Sequence, residues 1–162
     1  MIPYGKQKIR PKDIEAVSTA LAESFITRGP GVEKFEKEIA AYCGAAYGVA
    51  VCNGTAALHL AMLALRLGSG DGVIVPSLTF LASANCVEYV GARPHFVDID
   101  PQTYNLNLNH VEDLLKREKS IKSIIAVDFA GLPANWKALR DIANRFGTVL
   151  VEDACHALGS DY

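Results

Sequence analysis

Five residues of this chain could share one piece of chemistry: Gly54, Thr55, Phe80, Asp153 and His156. The sharpest of them is Asp153. The apolar run Val149-Leu150-Val151 ends abruptly in Glu152-Asp153, with His156 and Gly159 just beyond. A buried strand that delivers an acid at its tip is how open α/β folds furnish a ligand site. Neighbours on a strand point to opposite faces, so only one of the two acids can serve a given site. A buried carboxylate at such a tip can hydrogen-bond a pyridine nitrogen and keep it protonated, which makes the ring an electron sink. His156 could bond a phenolic oxygen on the same ring. The pattern fits equally a solvated strand end with Asp153 capping the next turn.

The segment Val51-Cys52-Asn53-Gly54-Thr55-Ala56 reads as a turn into a helix. A first helical turn leaves backbone N–H groups unpaired, and its dipole favours an anion. Gly54 allows close backbone approach, and the Thr55 hydroxyl adds a donor. A plain turn capped by Asn53 or Thr55 has the same sequence. Neither a Walker loop nor a G-x-G-x-x-G fingerprint occurs. Pro76-Ser77-Leu78-Thr79-Phe80 follows another apolar run, and Phe80 could lie flat on a planar cofactor there. The alternative is a core phenylalanine. Cys155 beside His156 invites a nucleophile–base reading, but adjacent side chains seldom meet in the required geometry.

The elements that must position these residues alternate. Periodicity predicts helices over 11–25, from about 32 to a stop at Gly44, 54–67, 78–90, 109–116 (capped by Asn109 with Glu112 as its partner) and 136–146. Short apolar runs predict strands over 48–52, 73–75, 94–98, 124–127 and 148–152. Such runs suit strands covered on both faces, hence a mostly parallel sheet wrapped by helices.

The 162 residues suffice for one domain with a sizeable core, and half of them are hydrophobic. A net charge of −2 gives no reason to invoke nucleic acid or an anionic membrane surface. No apolar stretch approaches the ~20 residues of a membrane span. The N-terminus lacks a signal-peptide core, so the cytoplasm is the expected compartment. Four cysteines without a C-x-x-C pair read as reduced thiols, and no zinc or calcium spacing is present.

Taken in order, these segments resemble the first half of the large domain of the DegT/DnrJ/EryC1/StrS sugar aminotransferases, a branch of the fold-type-I pyridoxal-phosphate enzymes. Phe25-Ile26-Thr27-Arg28-Gly29-Pro30 is similar to the family's N-terminal loop. Asn53-Gly54-Thr55-Ala56-Ala57-Leu58-His59 resembles its phosphate turn, Pro76 to Phe80 its ring-stacking segment, and Glu152 to Gly159 its E-D-x-A-[QH]-x-x-G signature. The resemblance implies an α/β/α fold with a mostly parallel sheet, of which residues 1–162 form the N-terminal portion and leave the fold incomplete. It implies pyridoxal 5'-phosphate as cofactor, held by Gly54, Thr55, Phe80, Asp153 and His156. It further implies transamination of a nucleotide-linked 4-keto-6-deoxy sugar with glutamate as donor, in a homodimer whose loop around Thr27-Arg28-Gly29 reaches a site. His156, where many members have Gln, and Val127-Asp128-Phe129-Ala130-Gly131, where many have a His-containing version, resemble the subgroup that aminates UDP-4-keto-6-deoxy-N-acetyl-L-altrosamine. The family's Schiff-base lysine follows a later Ser-Phe-rich strand, and none of the lysines here sits in a matching motif. The expectation is therefore a truncated, inactive chain with uncovered apolar surface, the alternative being a non-catalytic interaction module of the same fold.

Overall fold

Helix α1 (Pro11–Leu21) starts with Pro11 in its first turn, where a missing N–H costs nothing. The computed structural model describes residues 7–27 and 29–161; Lys6 and Arg28, part of the N-terminal region and the first loop, lie outside them. The chain divides into two compact units, Met1–Ala50 and Val51–Tyr162. In the first unit, α1 ends four residues earlier than its periodicity suggests, and α2 (Pro30–Tyr42) follows. The apolar face of α1 exists as expected, but Ile14, Val17 and Leu21 on it remain exposed.

The strand expected over 48–52 does not form. The Ala50 amide that would join a ladder is taken at 2.8 Å by the Glu36 carboxylate, and Gly48 presses on the Glu36 carbonyl. This bond and this close approach hold residues 48–50 against α2 instead of leaving them free to pair.

The second unit opens with α3 (Gly54–Ala64), capped by Asn53, whose side chain accepts from the Ala56 amide at 2.9 Å. Strand β1 (Gly72–Pro76) follows, buried at every position, then α4 (Ala82–Glu88) and β2 (Arg93–Val97). Helix α5 (Leu108–Arg117) is capped by Asn107, not by Asn109 as the sequence suggests. The Asn107 carbonyl takes the amides of Asn109 and His110, while Glu112 turns away to pair with Arg145 at 2.9 Å. Strand β3 (Ile121–Val127), α6 (Trp136–Phe146) and β4 (Val149–Asp153) complete the unit, with Gly147 ending α6 at φ 67°.

All four strands are parallel, in the order β2-β1-β3-β4. Alternation along the central strands builds two cores. Ile74, Ile124 and Ala126 face Val111, Leu115, Trp136, Leu139 and Ile142 of α5 and α6. Val73, Val75 and Ile125 face Leu58 and Met62 of α3 and Ala84, Cys86 and Val87 of α4. Burying each such aliphatic side chain stabilises by about 1.5–3 kcal/mol, so β1 and β3 anchor a three-layer α/β/α unit. The chain goes from β1 outward to β2, then returns to place β3 on the other side. That reversal is the switch point beyond which open α/β sheets bind ligands, at the carboxyl ends of the strands.

Candidate functional site

The residues singled out by chemistry gather at that end of the sheet. Asp153 is the last residue of β4, opposite Val127 in register, and is only 8% exposed. Its parity matches Ile125, so it faces the α3/α4 layer. Carboxylate Oδ1 accepts from the Cys155 amide at 3.2 Å, and Oδ2 from the Ser83 hydroxyl at 3.5 Å. The Ser83 hydroxyl is in turn 2.8 Å from that of Thr79.

Gly54 stands at the first turn of α3. A Cβ there would come within 3.0 Å of Cys155 Sγ, so the helix start abuts the turn that follows Asp153. Cys155 therefore touches both the acid and the candidate anion-binding turn. Asn53 provides the cap, and the amides of Gly54 and Thr55, at the first two helical positions, have no intrahelical acceptor. Phe80 lies in the loop between β1 and α4 and is 75% exposed among these residues. The expected helix over 78–90 is shorter for the same reason: residues 77–81 form the loop that presents this ring.

His156 lies exposed in the turn after β4. Its backbone is seated against Gly131, where a Cβ would meet the His156 carbonyl oxygen at 3.0 Å. Ser160 adds a second tie by donating to the Gly131 carbonyl at 2.9 Å. The loop carrying Gly131 is pinned by Asn105, which donates to the Leu132 and Pro133 carbonyls and accepts from the Phe129 amide.

Both thiols near the acid stay protonated. Cys155 is pushed up to about 11 by its hydrogen bond to Asp153, by burial and by the Asp153 charge. Cys86 is raised to about 11 chiefly by burial, with the Asp153 charge adding to it. Neither is a nucleophile at neutral pH.

Sequence reasoning assigned no contact to Thr79, Ser83 or Asp128. Thr79 and Ser83 are a hydroxyl pair four residues apart, a spacing that could have been noticed on a helix start. Asp128 follows β3 and is 2% exposed; its carboxylate accepts from the Ala134 amide at 2.8 Å and from Trp136 Nε1 at 3.0 Å. On the same face, Glu152 is raised to about 7 by burial, then by its hydrogen bond to Asp128 and that residue's charge. The folded chain thus holds this proton more tightly than the unfolded chain does. Stability should fall as pH rises from the unfolded glutamate value of ~4.3 to about 7, and level off above. Glu152→Gln keeps a donor toward Asp128 and removes the proton. We expect its stability to be flat over that window and higher than wild type by about 1 kcal/mol at about pH 8, after discounting for a side chain open to solvent. Thermal unfolding across the pH range checks this, and parallel curves for the two proteins would refute it.

Comparison with known proteins decides the family. The DegT/DnrJ/EryC1/StrS aminotransferase family matches residues 7–162. This chain belongs to that family. Solved members superpose closely on it. An aminotransferase from Psychrobacter cryohalolentis is 32% identical with a TM-score of 0.91, over 99% of this chain and 41% of that one. Spr1654 of Streptococcus pneumoniae, assigned as a sugar aminotransferase and solved in its PMP form, is 31% identical with a TM-score of 0.91, over 100% of this chain and 44% of that one. NtdA from Bacillus subtilis, with the cofactor PMP bound, is 34% identical with a TM-score of 0.85, over 93% of this chain and 35% of that one. The chain thus spans roughly two fifths of the length of these family members, and it has their mixed α/β fold with a parallel sheet. Among the described residues no helix is long and apolar enough to cross a membrane.

Proposed function

We propose that this chain carries the cofactor-binding part of a pyridoxal 5'-phosphate enzyme that moves an amino group from glutamate to the 4-keto carbon of a nucleotide-linked 6-deoxy sugar. The observation that carries the reading is the meeting of two features at Cys155: the buried acid at the tip of β4 and the glycine at the start of α3. A Cβ at position 54 would crowd that junction, whereas glycine leaves the first-turn amides open to a phosphate. The residues therefore fit the group.

When bound, the cofactor supplies an electron sink for negative charge at the carbon that loses its proton. Asp153 holds a proton on the ring nitrogen, and its low exposure shields that contact from water. Gly54 and Thr55 bind the phosphate through amides and hydroxyl, aided by the helix dipole. Phe80, whose ring is exposed in the loop after β1, would hold the ring from one side. His156, exposed in the turn after β4, would donate to the phenolic oxygen.

Glutamate leaves as 2-oxoglutarate, and the keto sugar leaves as the amino sugar. His156 and the Asp128 loop favour UDP-4-keto-6-deoxy-N-acetyl-L-altrosamine within that class. We place the protein in the cytoplasm as a homodimer. These 162 residues by themselves are proposed to bind PMP without turnover.

The test is twofold. PMP should bind and alter the fluorescence of the single Trp136 or of the cofactor. The whole enzyme should release 2-oxoglutarate from glutamate beyond one equivalent per site only when the nucleotide-linked keto sugar is added to take the amino group. Absence of PMP binding would overturn the reading in favour of a non-catalytic module, and borohydride reduction with pyridoxal phosphate that tags one lysine of these residues would overturn the claim of binding without turnover.

A further inference from the structure

We propose that the Thr79 and Ser83 hydroxyls form a relay that positions the Asp153 carboxylate; the inference rests on the cofactor reading above. Ser83 is fully buried on α4 among Ala82, Ala84, Cys86 and Val87. A hydroxyl in such a setting is costly unless it is bonded. Among the described residues its oxygen has two partners, Thr79 Oγ1 at 2.8 Å and Asp153 Oδ2 at 3.5 Å.

The direction of the relay follows from the inventory of hydrogens. Ser83 has one hydroxyl hydrogen, and an ionised carboxylate can only accept. The hydrogen of Ser83 therefore goes to Asp153, and that of Thr79 goes to Ser83. The opposite orientation would leave Oδ2 of a buried acid without this donor. The other oxygen, Oδ1, takes the Cys155 amide. Each carboxylate oxygen thus has a donor from a different element, α4 on one side and the turn after β4 on the other. These two anchors orient the carboxylate, and with the Cys155 thiol also bonded to it, one lone pair remains for an incoming cationic N–H. The relay begins one residue before Phe80, so it also ties the loop that presents the exposed ring to the acid. Ser83 and Thr79 act through Asp153 and are positioning residues.

The experiment measures the dissociation constants of PMP and of inorganic phosphate for wild type, Ser83→Ala, Thr79→Val and Thr79→Ser. Loss of a donor to a charged acceptor should weaken PMP about fivefold in Ser83→Ala and less in Thr79→Val, while Thr79→Ser retains wild-type affinity. Phosphate affinity should be unchanged in all of them, because the turn at Gly54 does not depend on the relay. Equal PMP affinity in Ser83→Ala and wild type would overturn the relay. So would a parallel loss of phosphate affinity, which marks a structural role. Failure of wild type to bind PMP would instead overturn the cofactor reading itself.

Discussion

In the whole enzyme whose cofactor-binding part these residues form, Asp153→Ala should lower transamination by about 10²–10³-fold, the range seen when a single preorganised electrostatic contact to developing charge is removed. The carboxylate is held at the strand tip by donors from two elements, and its exposure is low enough that water cannot replace it well. Without it a proton on a ring nitrogen loses its partner, and the ring becomes a weaker sink for electrons. The fold should survive, because the β3–β4 ladder bond at this position runs from the Asp128 amide to the backbone carbonyl of residue 153, not to the side chain. The variant should therefore unfold at a temperature close to wild type while PMP affinity and turnover fall. Asp153→Asn separates charge from shape: it should retain much of the packing and little of the activity. An Asp153→Ala enzyme with undiminished turnover would remove the acid from the mechanism.

Much of this site was legible because its chemistry sits where apolar runs stop. Asp153 ends Val149-Leu150-Val151, Phe80 follows the run that Pro76 closes, and Gly54 opens a helix. A parallel sheet puts all such stops at one end, so locating the runs also locates the site. What stayed hidden depends on contacts between elements. The relay needs Ser83 on α4 to reach the acid at the tip of β4, seventy residues on, which no local pattern states. The pairing of Glu152 with Asp128 follows from the register that sets Ala126 opposite Glu152. The strand expected over 48–52 failed through a bond from Glu36, fourteen residues earlier, that no periodicity displays. Helix α1 shows the complementary limit: its apolar stripe is visible in sequence, yet the stripe does not say what covers Ile14, Val17 and Leu21. Asn107 displaced Asn109 as cap because both are good caps, and only the backbone path selects between them.

Gly131→Ala should cost about 2 kcal/mol of stability and loosen the turn that carries His156. Two independent obstacles meet at this position. Its φ of +87° lies where an L side chain is strained. A Cβ would also stand 3.0 Å from the His156 carbonyl oxygen, a backbone atom that cannot rotate away. The loop has little freedom to adjust, since Asn105 grips three of its backbone groups and Asp128 holds the Ala134 amide. Relief must then come from the other side, by shifting residues 156–160 and breaking the bond from Ser160 to the Gly131 carbonyl. Ala130 provides the control. It also has positive φ, +54°, but in the left-handed helical region that glycine occupies freely. Ala130→Gly should not lower the thermal midpoint, whereas Gly131→Ala should lower it by several degrees. Hydrogen exchange should show faster opening at residues 156–160 in Gly131→Ala alone. Equal midpoints for Gly131→Ala and wild type would mean that the turn after β4 is not seated on this glycine, and the rigid support argued for His156 would be lost with it.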